Sequence, residues 1–459
     1  MKILERLSVL KPSVPGPKRA SQIPLADNRR SRTVAGWTLL FWMLCMLVPD
    51  VVRATNGLNL IGSGGISSAL AGADTAVATD FTSMNTNPAG MTQIRGTHAG
   101  FDVGVIKPLL RHKDGLNDKD GENDPLVIPN LGYIRHLTGT PVTLGIGFFT
   151  VGGNATDFRD LSTQFLTTDK TGTHIRHYKL TPSIAYEVTD KLSLGTALAI
   201  SFSDISLTVL PNTSVPGVFK GFETTGTCNR ANALALPGSC GFAFAFTPKI
   251  GAMYKPNEMV TLGLAYTAKS NLPYRNGRLT RNQGPVIGKV TYDADVSGFK
   301  WAEDLAFGIA LRPNSRLLIA TKFQWINWDA ALNNVVVNLR NGDKAPTSDT
   351  IILEFKWRNQ YVAALGVAYD VNDRLNLRGG YNFGNNPVPK STLDPINATI
   401  VEHHIAAGAA YKFMPSLSLD TTFTYSPPSQ RTYDSLIYGS NTLLEVGGYE
   451  FQFTLSYWN

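Results

Sequence analysis

From about Gly96 to the end of the chain, apolar and polar residues alternate with a period of two. In the last run Tyr449, Phe451, Phe453, Leu455 and Tyr457 share one face, and Glu450, Gln452, Thr454 and Ser456 the other. Leu375, Leu377, Tyr381 and Phe383 oppose Arg374, Asn376, Arg378 and Asn382 in the same way; Leu417, Leu419, Phe423 and Tyr425 oppose Ser418, Asp420, Thr422 and Thr424. Successive side chains of a strand point to opposite faces, so each run predicts a strand with one apolar and one polar side. Soluble sandwiches alternate too, but many runs here reach about ten residues, the length a tilted strand needs to cross a bilayer.

Turns then count the strands. Thr138-Gly139-Thr140, Thr189-Asp190-Lys191, Lys255-Pro256-Asn257, Arg312-Pro313-Asn314, Val371-Asn372-Asp373-Arg374 and Met414-Pro415-Ser416 each separate two alternating runs and leave room only for a hairpin. Six hairpins with one further strand at each end predict an all-β fold, a fourteen-stranded antiparallel transmembrane β-barrel over residues 96–459, an even number that closes without a free edge. Longer polar stretches near 108–125, 156–172, 209–240, 271–300, 327–350, 386–398 and 427–447 predict loops at the opposite, extracellular rim. Val290–Phe299 is either part of the eighth strand or a separate loop hairpin. Trp301, Trp325, Trp328, Trp357 and Trp458 are candidates for the interfacial aromatic girdles.

Two segments of other texture precede the barrel. An apolar run, Val34 to Pro49, follows Arg29, Arg30 and Arg32 and falls short of the ~20 residues of a spanning helix, so residues 1–54 read as a signal peptide. Residues 55–95 are rich in Gly, Ala, Ser and Asn and show no strand alternation. The mean hydropathy of −0.06 argues against a polytopic helical membrane protein. Of the net charge of +7, six belong to the leader, which carries nine basic and three acidic residues and leaves thirty-three against thirty-two in the remainder. A nucleic-acid partner therefore loses its support. Cys228 and Cys240, close together in an exported chain, suggest a loop disulfide. His403 and His404 are strand neighbours that point to opposite faces, and no metal or other cofactor is expected.

The chain resembles the outer-membrane long-chain fatty-acid transporters (FadL-type), a family that also holds toluene- and xylene-uptake channels. The resemblance runs from about residue 57 to the C-terminus. It rests on Gly62-Ser63-Gly64-Gly65, Ala71-Gly72-Ala73-Asp74 and Asn87-Pro88-Ala89-Gly90-Met91, on Gly152-Gly153 with Ala155-Thr156-Asp157-Phe158, on Gln324-Trp325-Ile326-Asn327-Trp328, and on Arg378-Gly379-Gly380-Tyr381 leading to Pro387-Val388-Pro389. It implies that residues 55–95 form a short helical plug, or hatch, in the lumen, marked by Gly64, Gly65, Asn87, Pro88 and Ala89. Two adjacent glycines weaken strand pairing and mark a bulge or bend. The resemblance makes Val151, Gly152, Gly153 and Asn154 an inward kink of the third strand, with a lateral gap through which an apolar ligand leaves into the bilayer.

Alternation turns Arg316, Lys322, Glu354, Lys356, Arg358, Arg378, Glu402, Lys412 and Asp420 toward the lumen. Of these Lys322 and Arg378, beside or within family-like motifs, are the candidate contacts for a carboxylate, with Leu58, Leu60 and Ile61 supplying apolar surface. The expected partners are a hydrophobic small molecule, fatty acid or aromatic hydrocarbon, and the outer-membrane lipids and lipopolysaccharide around a monomer. A general diffusion porin would share the barrel, and an outer-membrane lipid-hydrolysing enzyme is the remaining alternative, though no spacing of Ser and His singles out a catalytic set.

Overall fold

A computed structural model describes residues 56–225 and 241–459. The leader and the Cys228–Cys240 pairing lie outside the described residues. The wall consists of β1 (Thr97–Lys113), β2 (Leu126–His136), β3 (Val142–Ser162), β4 (Thr168–Glu187), β5 (Leu192–Val215), β6 (Gly241–Asn257) and β7 (Val260–Thr267). It continues through β8 (Asp304–Asn314), β9 (Leu317–Ile326), β10 (Gln360–Asp370), β11 (Leu375–Gly384), β12 (His403–Met414), β13 (Leu417–Ser435) and β14 (Gly439–Trp458). Each strand is antiparallel to the next. β14 returns to β1 with Phe101 opposite Leu455 and Val105 opposite Phe451. The sheet is closed, and all six short turns stand where the sequence places them.

Closure turns the alternation inside out. Phe101, Leu131, Ile146, Leu198, Phe246, Phe323, Leu365 and Leu455 are exposed, while Ser418, Thr422, Thr424, Glu450, Gln452, Thr454 and Ser456 are buried. In water such an apolar belt would be an aggregation surface; facing lipid it is the stabilising one.

The extracellular side departs from the loops expected there. β5 alone runs for 24 residues, far more than a bilayer core of about 30 Å requires at about 3.3 Å per residue, even with tilt. The polar stretches stay extended because they pair with one another above the membrane. Short strands at Phe219–Thr224, Tyr274–Asn282, Lys289–Ser297, Asn334–Arg340 and Asp349–Glu354 form an antiparallel sheet standing on β5. Lys289–Ser297 is thus part of a separate hairpin, and the eighth wall strand begins at Asp304.

Under this cap lies an apolar core that includes Tyr274, Tyr292, Phe299, Trp301, Trp328 and Trp357. Trp301, Trp328 and Trp357 are therefore not girdle residues: they run edge to face through the core, with ring centroids 6.1 and 5.2 Å apart. Glu354, Lys356 and Arg358 are exposed in the cap rather than lumenal, because alternation fixes a face only where a strand is part of the wall.

Candidate functional site

Residues 56–96 lie inside the barrel. They form two short helices, α1 (Gly64–Ala69) and α2 (Ser83–Thr86), and a 3-10 turn over Pro88–Gln93. Pro88 opens that turn, where its missing N–H is no loss. Asn87 caps it, its Oδ1 accepting from the Ala89 N–H at 3.2 Å. The Asn87 amide also donates to the carbonyls of Thr75, at 2.8 Å, and of Ala252 on β6, at 3.1 Å. One side chain so caps the start of the turn, ties the hatch to itself and ties it to the wall. On the opposite side the Gly65 N–H donates to Thr454 Oγ1 at 2.8 Å and to Asp102 Oδ1 at 3.2 Å, and Thr422 Oγ1 donates to the Gly65 carbonyl at 2.7 Å. Asn382 Nδ2 on β11 reaches the Ala71 carbonyl at 3.1 Å.

The hatch backbone comes this close because the wall is made of glycine where the two meet. Gly100, Gly132, Gly145, Gly195, Gly251, Gly263, Gly308, Gly366, Gly380 and Gly408, on ten different strands, each face a hatch atom that an added Cβ would meet at under 3.0 Å. At Gly251 that atom is Asn87 Oδ1, at 2.0 Å, and at Gly263 the Thr75 carbonyl oxygen, at 2.1 Å.

One seam of the wall is incomplete. β2 pairs with β1 from Leu126 to Arg135 but with β3 only from Leu131, opposite Phe148, to His136, opposite Thr143. Beyond Phe148, β3 follows β4 alone and bulges between Thr150 and Gly152. The break is bounded below by Thr150, whose N–H donates to Asn130 Oδ1 and whose hydroxyl donates to the Pro129 carbonyl, both at 2.8 Å. A strand residue directs its N–H and C=O to the same neighbour, so Pro129 turns toward β3 the position where it has no N–H to offer. Above, the break is bridged by the Glu122 N–H to the Asp157 carbonyl at 2.8 Å and by Asn123 Nδ2 to the Ala155 carbonyl at 2.9 Å.

Inside this window the bulged strand pairs with the start of the hatch. The Leu60 N–H donates to the Val151 carbonyl at 3.1 Å and the Gly153 N–H to the Leu58 carbonyl at 2.9 Å. A Cβ at Gly152 would stand 1.9 Å from the Leu58 carbonyl oxygen and one at Gly153 2.0 Å from that of Ile175, so both positions require glycine. Asn154 Nδ2 donates to the Ile396 carbonyl at 3.0 Å, linking the kink to the extracellular loop between β11 and β12. In that loop burial pushes the Asp394 carboxyl above its usual range, against the opposing hydrogen bond from the Ile396 N–H.

Behind the window is a lumenal cavity of about 100 Å³, lined in part by Leu60, Ile61, Val151, Lys179, Lys249 and Lys322. Taking ~30 Å³ as the share of one water, it has room for about three waters or one small head group. Lys322 is already engaged, with Nζ 3.4 Å from Asp74 Oδ1, and Asp74 Oδ2 accepts from Ser67 Oγ at 2.5 Å. Lys249 Nζ donates to Thr267 Oγ1 at 2.8 Å. Lys179, buried on the inner face of β4, makes no hydrogen bond or ion pair among the described residues. Leu58 packs in the core above, and Arg378 lies elsewhere, ion-paired with Asp420 in a vestibule at the periplasmic end. The structure thus brings Leu60, Ile61 and Lys322 together and separates Arg378 from them. The lysine left free is one the motifs did not single out; its signal is inward parity in Tyr178-Lys179-Leu180, the same rule that selects Lys322.

A family model described as outer membrane protein transport protein (OMPP1/FadL/TodX) matches residues 52–453. Outer membrane protein P1 of Haemophilus influenzae is 22% identical over 432 residues, covering 83% of this chain and 89% of that protein. The solved Pseudomonas putida toluene transporter TodX superposes with a TM-score of 0.72 at 18% identity, covering 87% of this chain and 99% of its own. The toluene transporter TbuX of Ralstonia pickettii gives 0.67 at 18% identity, with the same coverage. A FadL homologue of Pseudomonas aeruginosa gives 0.66 at 16% identity, again over 87% of this chain and 99% of its own. At these identities the structures speak for the fold.

Proposed function

Because the chain belongs to the OMPP1/FadL/TodX family of outer-membrane transport proteins, we propose that it takes up long-chain carboxylates and passes them sideways into the bilayer through the window between β2 and β3. The observation that carries the lateral route is the pairing itself: two neighbouring strands part above Leu131 and Phe148, with a proline on one edge and a bulge on the other. A route into the membrane suits an apolar chain, since every methylene kept out of water is worth ~0.8 kcal/mol. Residues 56–96 act as the plug that closes the way straight through, and Leu60, Ile61 and Val151 offer apolar surface between the cavity and the window.

The preference for a carboxylate rests on Lys179. A buried ammonium without a partner is costly, and an anionic head group in the cavity would offset that cost. Losing a hydrogen bond to a charged group costs about 1.5–3 kcal/mol, so Lys179→Gln is expected to reduce oleate uptake by about tenfold or more and leave toluene uptake unchanged. Cells lacking the gene and complemented with each variant report both rates. Equal loss of the two cargoes, or of neither, refutes the carboxylate preference and leaves neutral hydrocarbons as the cargo class.

A further inference from the structure

A second cavity, of about 430 Å³, opens at the periplasmic rim on the far side of the hatch from the window. Its roof is apolar, made by Ile66, Leu70 and Val77 of the hatch with Leu318 of β9. Its mouth is cationic. Arg312 and Arg316 flank the β8–β9 turn, Arg374 the β10–β11 turn and Lys412 the β12–β13 turn. The side chains of these four make no ion pair or hydrogen bond among the described residues. Of the three carboxylates in the same cavity only Asp420 is ion-paired, with Arg378; Asp370, which accepts from the Asn376 amide at 2.9 Å, and Asp373 keep their charge, so two anions stand against four cations at the mouth. Four cations held around one opening repel one another.

We infer that this vestibule is a binding site for an anionic amphiphile entering from the periplasmic side, its acyl chain against Ile66, Leu70, Val77 and Leu318 and its anionic head among Arg312, Arg316, Arg374 and Lys412. The volume lies within the ~300–1,000 Å³ typical of small-molecule sites, and the combination of apolar wall with a few convergent charges is what such sites use. An unbranched carboxylate and the phosphate head of an inner-leaflet lipid share this chemistry. Both would seat the underside of the hatch, with the arginines offering planar forked donors to either anion. The site does not depend on lateral release of cargo: neither Pro129 nor Val151 is among its lining residues, so variants that close the window leave it intact.

The test uses the full-length protein in nanodiscs with two probes, a fatty acid carrying a diazirine at its chain end and a phosphatidylglycerol carrying the same group. Labelled peptides are mapped by mass spectrometry. Labelling of Ile66–Leu70 and of Leu318 is expected, competed by oleate and not by oleyl alcohol. It should fall about tenfold or more in the triple variant Arg316→Gln, Arg374→Gln, Lys412→Gln, as loss of charge-assisted hydrogen bonds requires. These residues are exposed at turns, and heat-modifiable migration on gels verifies that the variant barrel is folded. Labelling by the fatty acid identifies a free carboxylate as the ligand, and labelling by the phospholipid alone identifies a lipid head group; either result supports the site. Equal competition by the alcohol, undiminished labelling of the triple variant, or no labelling of these peptides by either probe overturns it.

Discussion

Deleting Val151 together with Pro129→Val is expected to abolish uptake of hydrophobic cargo in a barrel that still folds. Val151 is the extra residue of the bulge, lying between the paired positions Thr150 and Gly152. Its removal restores the register of β3 with β4 and lets the strand run straight. Valine at position 129 returns the N–H that β2 lacks on the side facing β3, so the two edges can pair above Leu131 and Phe148. Each added rung contributes about 1 kcal/mol, and the wall itself loses nothing. The cargo does: once the side is sealed it must leave through water. Exposing only three methylenes costs about 2.4 kcal/mol at ~0.8 kcal/mol each, more than a tenfold penalty. Uptake of labelled oleate by complemented cells reads the loss, and surface protease resistance confirms assembly. Wild-type uptake by the straightened variant would remove the window from the mechanism.

The second large effect concerns the glycine girdle. Gly251→Leu combined with Gly263→Leu is expected to expel the hatch and raise single-channel ion conductance severalfold. Their Cβ atoms would collide with Asn87 Oδ1 and with the Thr75 carbonyl, one of them backbone and the other the side chain that caps the 3-10 turn. Overpacking of this kind costs about 1–3 kcal/mol per site, against hatch contacts that are individually worth about 1 kcal/mol each. The wall is held by its own ladder and should melt at nearly the unmodified temperature. Gly379→Leu is the control: a Cβ there meets its nearest atom at 3.6 Å, on a residue of the wall rather than the hatch. A double variant that conducts like the unmodified protein would mean that the hatch tolerates the intrusion.

The barrel was legible because closure leaves a strong mark: one face must satisfy lipid and the other must not, and the six hairpins interrupt that alternation at fixed points. The strand ends were not legible. Above the membrane both faces of β3 to β5 meet other protein or water, the period-two signal fades, and the extended polar segments read as loops. The tryptophans misled for a related reason, since Trp301, Trp328 and Trp357 sit at sequence positions that suit an interface but turn into a core that exists only when distant loops come together.

At the site, Gly152-Gly153 reads as a bend and Pro129, inside an alternating run, as an edge, but nothing in either run says that these two edges face each other, and Asn130 carries no mark at all. Lys322 and Arg378 were correctly turned inward by alternation. Whether an inward cation is free or paired depends on Asp74 and Asp420, which only the closed barrel brings beside them. The girdle carries its own signal in the sequence, a glycine at an inward position directly after an outward apolar residue, as in Leu131-Gly132, Leu194-Gly195, Ile250-Gly251 and Leu365-Gly366.

Lateral release is most directly tested by uptake with the hatch pinned in place. A Cβ at Gly65 lies 3.6 Å from that of Thr454, inside the range of about 3.5–4.5 Å that a disulfide spans. Gly65→Cys with Thr454→Cys, in a background where Cys228 and Cys240 are serine, therefore fastens the plug to β14 without displacing either. If cargo leaves between β2 and β3, oleate uptake is the same with the bond formed and with it reduced. Uptake that stops on oxidation and returns on reduction would show that cargo passes through the space the hatch fills, and would contradict the sideways route.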